Sequence, residues 1–208
     1  MKIRALVIVT ALALPTLAVA DDNKTPDKPP ATDKTTNKAA KLSEGDVKII
    51  AHLHHVNQME IDLGKVAQKT GTASVKGYAE TLEKDHQSAD KDLMAFTKQH
   101  RLAMIPADKP ESDADKQSEK DMMSAVAHLK TLKDADFDKE FLNMMVSGHD
   151  KELARIDVSI GAASDPDLQT MLKSVKPVLQ RHSDQAHDLQ KSPQAAVDKP
   201  IEKLPSAR

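Results

Sequence analysis

Four ionisable side chains lie within apolar stripes of helical spacing, and together they could bind a transition metal. Glu60, His86, His149 and His182 each belong to a run of apolar residues that repeats at steps of three or four, the spacing of one buried face of an α-helix. A buried imidazole or carboxylate needs a partner, because leaving it unpaired is costly. Three imidazoles and a carboxylate suit Zn, Cu, Mn or Fe. The pattern therefore indicates a metal site in a helical core.

Further carboxylates lie within one helical turn of these histidines. Glu83 and Asp85 precede the histidine of the second helix, and Glu152 follows that of the third; they would be additional ligands or would hydrogen bond to the ligands. The competing interpretation is a metal-free polar network that only fixes helix register, since a single core histidine is usually a hydrogen-bonded structural residue. Other histidines, among them His52 and His100, are interpreted as partly exposed and incidental.

The elements that would position these residues are four long amphipathic helices and one shorter helix. Capping residues, glycines and prolines place the predicted helices from Ser43 to about Lys69, about Ala73 to Arg101, about Lys116 to Leu132, near Asp136 to near Ala163, and Pro166 to about Lys191. Gly71 is expected to end the first helix in the left-handed conformation. The prediction is an all-α antiparallel four-helix bundle with a short extra helix in the crossover between helices 2 and 3.

Helical rise tests whether the four residues can meet. At about 1.5 Å per residue, distances from the two turns put Glu60 and His86 about one helical turn apart in height, and His149 and His182 nearly level. The crossover leaves the height of one helix pair against the other open. Because both pairs lie near the middle of their helices, we expect the four residues to converge near the middle of the bundle.

The two ends of the chain differ from the helical region. Residues 1–20 have a basic start, a short apolar run and the cleavage pattern Ala18-Val19-Ala20, so they predict a signal peptide. Residues 21–42 are polar and read as a flexible tether, residues 43–191 form the bundle, and residues 192–208 are predicted to be a disordered tail. We therefore expect a periplasmic or secreted protein that has no transmembrane segment after signal cleavage.

Composition excludes several classes of function. The 208-residue chain has a formal net charge of −2, no Trp and a single Tyr, so it offers neither phosphate attraction nor stacking surfaces, and nucleic acid is not expected as a partner. The absence of Cys rules out disulfides, thiol catalysis, iron–sulfur clusters and covalent haem attachment. Stability must then come from helix packing, with any metal adding to it.

The helix motifs resemble a known family. They are the run Asn57-Gln58-Met59-Glu60-Ile61-Asp62-Leu63-Gly64-Lys65-Val66-Ala67, then Asp85-His86, Phe137-Asp138 with Phe141, Met145-Val146 with His149, and Leu179 with His182 after Pro177. The first is similar to the first-helix signature of a secreted bacterial family called domain of unknown function 4142, and the others look like its later signatures. The resemblance covers about Ser43 to Leu189. It implies a ferritin-like four-helix bundle and brings no established activity.

The sequence departs from the di-iron pattern of ferritin-like proteins, in which two helices carry a lone Glu and two carry Glu-x-x-His. Glu60 matches a lone Glu, and Glu83 with His86 matches one Glu-x-x-His. Leu179 replaces the Glu expected before the last histidine, and the third helix carries its His and Glu in inverted order. The bridging carboxylates are incomplete, which favours a mononuclear or non-catalytic site.

These observations predict an exported ferritin-like bundle that binds a transition metal for metal handling or envelope stress protection, with no catalytic residue assigned. One alternative is a structural module of the envelope with a metal-free polar core and a protein partner or a homo-oligomeric state. Others are an enzyme that removes peroxide or superoxide, a b-type haem protein and a Met-rich copper carrier. Enzymatic turnover is not part of the leading hypothesis.

Overall fold

The computed structural model describes residues 41–191, and within that range the chain forms five α-helices and no strand. They are α1 (Glu44–Thr70), α2 (Ala73–Gln99), α3 (Asp113–Leu129), α4 (Asp134–Ala162) and α5 (Pro166–Lys191). The all-α class is confirmed, and the ends of the four long helices fall within two residues of their predicted places. The predicted signal peptide, nearly all of the tether and the C-terminal tail lie outside the described residues. Leu42, placed in the tether, is buried.

Capping boxes start two of the helices. The Ser43 hydroxyl accepts a hydrogen bond from the Asp46 amide, and the Asp46 carboxylate accepts one from the Ser43 amide. Ser112 and Asp115 repeat this arrangement at α3. Each pair satisfies backbone N–H groups that a helix start would otherwise leave without partners. Local sequence therefore determines where these helices begin.

The expectation for Gly71 is wrong. Its backbone is extended, with φ −69° and ψ 167°, so the turn between α1 and α2 uses no left-handed residue. Glycine is needed there for space: a Cβ atom would lie 2.6 Å from Val75 Cγ1 and 2.9 Å from the Ala67 carbonyl oxygen. The chain turns so tightly between the two helices that a side chain would collide with both of them.

The four long helices pack as two hairpins that form a helical bundle. α1 packs along α2, and α4 packs along α5; the hairpins meet where α1 contacts α4 and where α2 contacts α5. α3 touches the bundle only through α4 among the principal helix contacts. Within residues 41–191, none of the helices combines the length and the hydropathy that a membrane span requires.

Two carboxylates hold one hairpin against the other. At one end, Asp46 of α1 accepts a 2.8 Å hydrogen bond from the amide of Ser164, in the turn before α5. At the other end, Asp138 of α4 accepts a 3.1 Å hydrogen bond from the amide of Thr72, in the turn before α2. These contacts set the relative height of the hairpins, which the length of the crossover could not predict.

The buried apolar residues form two clusters, and a polar layer separates them along every long helix. One cluster includes Leu63, Leu82, Met145 and Ala186, and the other includes Leu53, Leu93, Ile156 and Leu179. On each helix one predicted site residue, Glu60, His86, His149 or His182, falls in sequence between a member of one cluster and a member of the other. These four residues thus occupy one level of the bundle, with apolar packing above and below it.

Candidate metal centre

Three imidazole rings converge in this polar layer. His86 of α2, His149 of α4 and His182 of α5 are all buried, and their ring centroids lie 5.3 to 6.0 Å apart. Each ring offers one nitrogen to a group whose ligand atoms all lie within 4.8 Å of one another. Glu60 of α1 is buried too, but its carboxylate is not part of that group. The structure therefore brings the three histidines together and places the carboxylate farther out.

The outer nitrogen of each ring is held by an oxygen atom. The three bonds run from His86 Nδ1 to Asn57 Oδ1 at 2.9 Å, from His149 Nδ1 to the Met145 carbonyl at 2.8 Å, and from His182 Nε2 to Asp85 Oδ2 at 2.9 Å. Because all three acceptors are oxygens, the proton of each neutral ring stays on the outer nitrogen. The other nitrogen keeps a free lone pair, which is how protein partners orient histidine ligands toward a metal.

Five buried side-chain atoms within residues 41–191 have no hydrogen-bond partner, and all five belong to residues predicted for the site. They are Glu60 Oε2, His86 Nε2, His149 Nε2, Glu152 Oε1 and His182 Nδ1. A buried polar atom without a partner typically costs about 1–3 kcal/mol. All are lone-pair donors once Glu60 and Glu152 are ionised, so a cation is the kind of partner that could satisfy them together.

Burial favours the neutral form of His86 and His182. Desolvation, together with His149 and His182, lowers the pKa of His86 to about 3. Desolvation also lowers the pKa of His182, although the Asp85 carboxylate opposes this. For Glu60, desolvation raises the pKa, with His149 opposing the rise and Glu152 adding to it. Burial thus disfavours the charged forms of His86, His182 and Glu60 alike, and a bound cation would favour the ionised carboxylate of Glu60.

Two of the flanking carboxylates, Asp85 and Glu83, are held by hydrogen bonds outside the histidine group. Asp85 lies behind His182 and also accepts a 2.8 Å hydrogen bond from Arg181; burial opposes its ionisation, but these two partners hold its pKa below the usual value. Glu83 accepts hydrogen bonds from the amides of Gln68 and Gln87, one on each oxygen. Asp85 is therefore a hydrogen-bond partner of a candidate ligand, and Glu83 is held outside the histidine group.

Glu152 connects the layer to the crossover segment through His52. Glu152 Oε2 lies 3.0 Å from His52 Nε2, and His52 Nδ1 lies 2.9 Å from Asp108 Oδ2. An imidazole between two carboxylates must be doubly protonated to donate to both. Burial alone would lower the pKa of His52, but the bonds to Glu152 and Asp108 raise it above its usual value. His52 is thus a bridging residue, and the expectation that it is incidental is wrong.

His100 also departs from the expectation. It is buried, stacks near Phe96 with ring centroids 4.2 Å apart, and lies 3.6 Å from Asp165. Asp165 uses its other oxygen to cap the start of α5. His100, Asp165 and Asp167 form a second group whose ligand atoms lie within 4.8 Å of one another, but Asp165 is already engaged as the cap of α5 and Asp167 is exposed.

Sequence reasoning missed two residues that support the histidines. Asn57 precedes Glu60 by three residues on α1, so the helical period could have placed it on the same face as Glu60. Tyr78 donates a 3.0 Å hydrogen bond to the backbone carbonyl of His182 and packs edge-on against Phe141. Burial raises the pKa of Tyr78, so it stays a neutral donor. No local signal in the sequence indicates this contact, because its partner is 104 residues away.

Comparison with known proteins identifies the family and supports the helical fold. The sequence matches the family model "Domain of unknown function (DUF4142)" over residues 31–189, so the chain belongs to that family, as its motifs predicted. Curated proteins give no match. A solved structure, described as a DUF305 fragment from Deinococcus radiodurans, is similar with a TM-score of 0.61 and 15% identity. The match covers 73% of this chain and 98% of the fragment, and at that identity it shows the fold alone.

Proposed function

We propose that this member of the DUF4142 family binds one divalent transition-metal ion in the polar layer of its bundle. His86 Nε2, His149 Nε2 and His182 Nδ1 would be the nitrogen ligands, and Glu60 would supply the carboxylate. The observation that carries the proposal is that these donor atoms are buried without partners while the other nitrogen of each ring is held by an oxygen. Such an arrangement leaves one free lone pair per ring, aimed into a shared space.

The donor set limits the kind of ion. Neutral imidazoles suit Zn, Cu, Mn and Fe, whereas Mg and Ca prefer an all-oxygen shell. The two packed hairpins support the ferritin-like layout implied by the motifs. Leu179 stands where a second bridging carboxylate would be required, which favours a single ion over a di-iron pair. We therefore propose metal handling or envelope stress protection, without turnover, as the role.

Export to the periplasm or the medium is part of the same proposal. It is supported by the signal-peptide pattern in residues 1–20. A metal-binding protein outside the cytoplasm would meet ions that cytoplasmic chelators do not buffer. The competing proposal is an envelope interaction module in which the polar layer only holds the helices in register.

The experiment measures bound metal in the purified protein after chelator treatment and reloading. Each of Zn²⁺, Cu²⁺, Mn²⁺ and Fe²⁺ is offered separately, free ion is removed, and equivalents are counted by elemental analysis. We expect about one equivalent of at least one ion, and a large loss in His149→Gln. The matched control is His128→Gln, because His128 is an exposed histidine on α3; it should bind metal as the natural protein does.

Two results would count against the proposal. One is binding of less than about a tenth of an equivalent of every ion. The other is an equal amount of bound metal in His149→Gln and His128→Gln, which would place the ion elsewhere. The register-fixing alternative predicts instead that His86→Ala and His182→Ala lower thermal stability by the same amount with and without added metal.

A further inference from the structure

A cavity of about 220 Å³ lies against the candidate metal centre. Its inner end is lined by polar residues that include His86 and His182, whereas Glu60 and His149 do not line it. Ser88, Asp92 and Ser174 are exposed and mark its mouth. The cavity therefore reaches the centre from the α2 and α5 side, between two of the three histidines.

The walls of the cavity are apolar. Leu53, Val56, Leu93, Val175, Val178 and Leu179 form most of the surface between mouth and inner end. Water is held poorly where polar partners are lacking, and an apolar cavity of about 150 Å³ is large enough to bind benzene. A space of 220 Å³ can thus hold the apolar body of a small organic molecule, such as a ring or a short alkyl chain.

Charge at the inner end favours an anionic head on that molecule. A divalent ion with one carboxylate ligand, Glu60, keeps a net positive charge. Of the other two carboxylates at this end, Asp85 pairs with Arg181, and Glu152 pairs with His52, which also bonds to the more exposed Asp108. Asp92 stands exposed at the mouth, where solvent and salt screen its charge. A single negative oxygen donor would neutralise the centre and complete its coordination.

We infer that the cavity binds a small monocarboxylic acid, with its carboxylate on the metal between His86 and His182 and its apolar body against the cavity wall. This inference rests on the proposed metal site. It adds a small organic ligand to the proposed metal ion and gives a reason for the apolar walls of the cavity that leads to the centre. The occupant enters past Ser88 and Ser174, and its length is limited by the cavity.

The test titrates the metal-loaded protein with acetate, butyrate and hexanoate and measures each affinity by calorimetry. A buried methylene typically contributes about fourfold in affinity, so hexanoate should bind at least about tenfold more tightly than acetate. 1-Hexanol has the same chain without the carboxylate and should bind more weakly than hexanoate. Metal-free protein should lose most of the affinity for hexanoate.

Matched variants separate the cavity from the centre. Val178→Phe fills the cavity and leaves every proposed ligand in place, so it should keep one equivalent of metal and lose the gain from acetate to hexanoate. Ala89→Leu fills the same cavity from α2 and serves as a second variant should Val178→Phe fail to fold. Val158→Phe is the control, because Val158 is 73% exposed and lies outside the cavity lining; it should leave the series unchanged.

The outcomes distinguish the two proposals. Failure to load metal overturns both. Metal-loaded protein that binds acetate and hexanoate equally, or Val178→Phe and Ala89→Leu proteins that keep the full chain-length dependence, overturns the cavity inference alone. A chain-length dependence that disappears in the filled variants and persists in Val158→Phe supports it.

Discussion

Replacing Asp46 with Ala tests how the two hairpins are held in the register that brings the histidines together. Asp46 is 1% exposed. Its carboxylate accepts hydrogen bonds from the Ser43 amide at 3.1 Å, the Ser43 hydroxyl at 2.7 Å and the Ser164 amide at 2.8 Å. A longer contact of 3.4 Å comes from the Asp165 amide. The first two bonds are local to α1, whereas the last two cross to the turn before α5.

Asp115 provides an internal control, because its cap has the same local geometry. Its carboxylate accepts from the Ser112 amide at 3.0 Å and from the Ser112 hydroxyl at 2.7 Å, but the carboxylate is exposed and no hydrogen bond reaches it from another hairpin. Hydrogen bonds to charged groups typically contribute about 1.5–3 kcal/mol each. The bond from Ser164 should therefore make Asp46→Ala more destabilising than Asp115→Ala by about 2–3 kcal/mol.

The assay is urea unfolding at pH 7, followed by circular dichroism, for the natural protein and both variants. A second readout is pH. Burial opposes ionisation of Asp46, but its hydrogen bonds outweigh this and hold its pKa below the model-peptide value of 3.8. Its contribution to stability should be complete above pH 3.8 and be lost as the pH falls through the lowered pKa. Equal destabilisation by Asp46→Ala and Asp115→Ala would refute the reasoning that Asp46 joins the hairpins.

Three further predictions concern the site and the helix contact beside it. In EDTA, the natural protein should lose more stability than His86→Gln as the pH falls from 6.5 toward 3, because His86 takes up a proton in the unfolded chain but not in the folded protein, where its pKa is about 3. Urea unfolding across that pH range measures the difference, and parallel stability curves for the two proteins would contradict the prediction. Asn57→Leu should weaken metal binding about 10–100-fold, because it removes the oxygen that accepts a hydrogen bond from His86 Nδ1, whereas Asn57→Asp should keep the natural affinity. Competition with a chelator measures both affinities, and unchanged affinity in Asn57→Leu would refute the role of Asn57. Gly77→Ala should raise the free energy of unfolding by about 0.5–1 kcal/mol, because the new Cβ meets open space. Gly64→Ala should show no such gain, because its Cβ would lie 3.1 Å from the Ala79 carbonyl oxygen; equal gains in thermal unfolding would refute the close approach of α1 and α2.

Local chemistry explains why the helix ends could be predicted. Ser43 caps α1 through a partner three positions away, and Pro166 starts α5 as its fixed backbone angle favours. Ser112 caps α3 by the same rule, but this helix begins at Asp113, three residues before the predicted Lys116. The period of the apolar residues likewise predicts which face of each helix is buried. These signals lie within a few residues of the feature that they specify, so one sequence is enough to read them.

Long-range contacts explain what could not be predicted. The bond between Asp46 and Ser164 spans 118 residues, and it helps set the height of one hairpin against the other. His52 looked incidental because its partners, Glu152 and Asp108, are distant in sequence. A glycine after a helix predicts a left-handed backbone, whereas at Gly71 crowding by Val75 is what requires glycine. Periodicity identified the candidate ligands, but only the folded arrangement identifies the residues that orient them.

The most direct test is X-ray absorption at the metal edge of the natural protein loaded with one equivalent of Zn²⁺. The account predicts the multiple-scattering signature of three imidazoles with nitrogen atoms at about 2.0–2.1 Å, together with one or more oxygen donors. A spectrum that shows only oxygen neighbours, or fewer than two imidazoles, would contradict it, because the ion would then lie outside the layer formed by His86, His149 and His182.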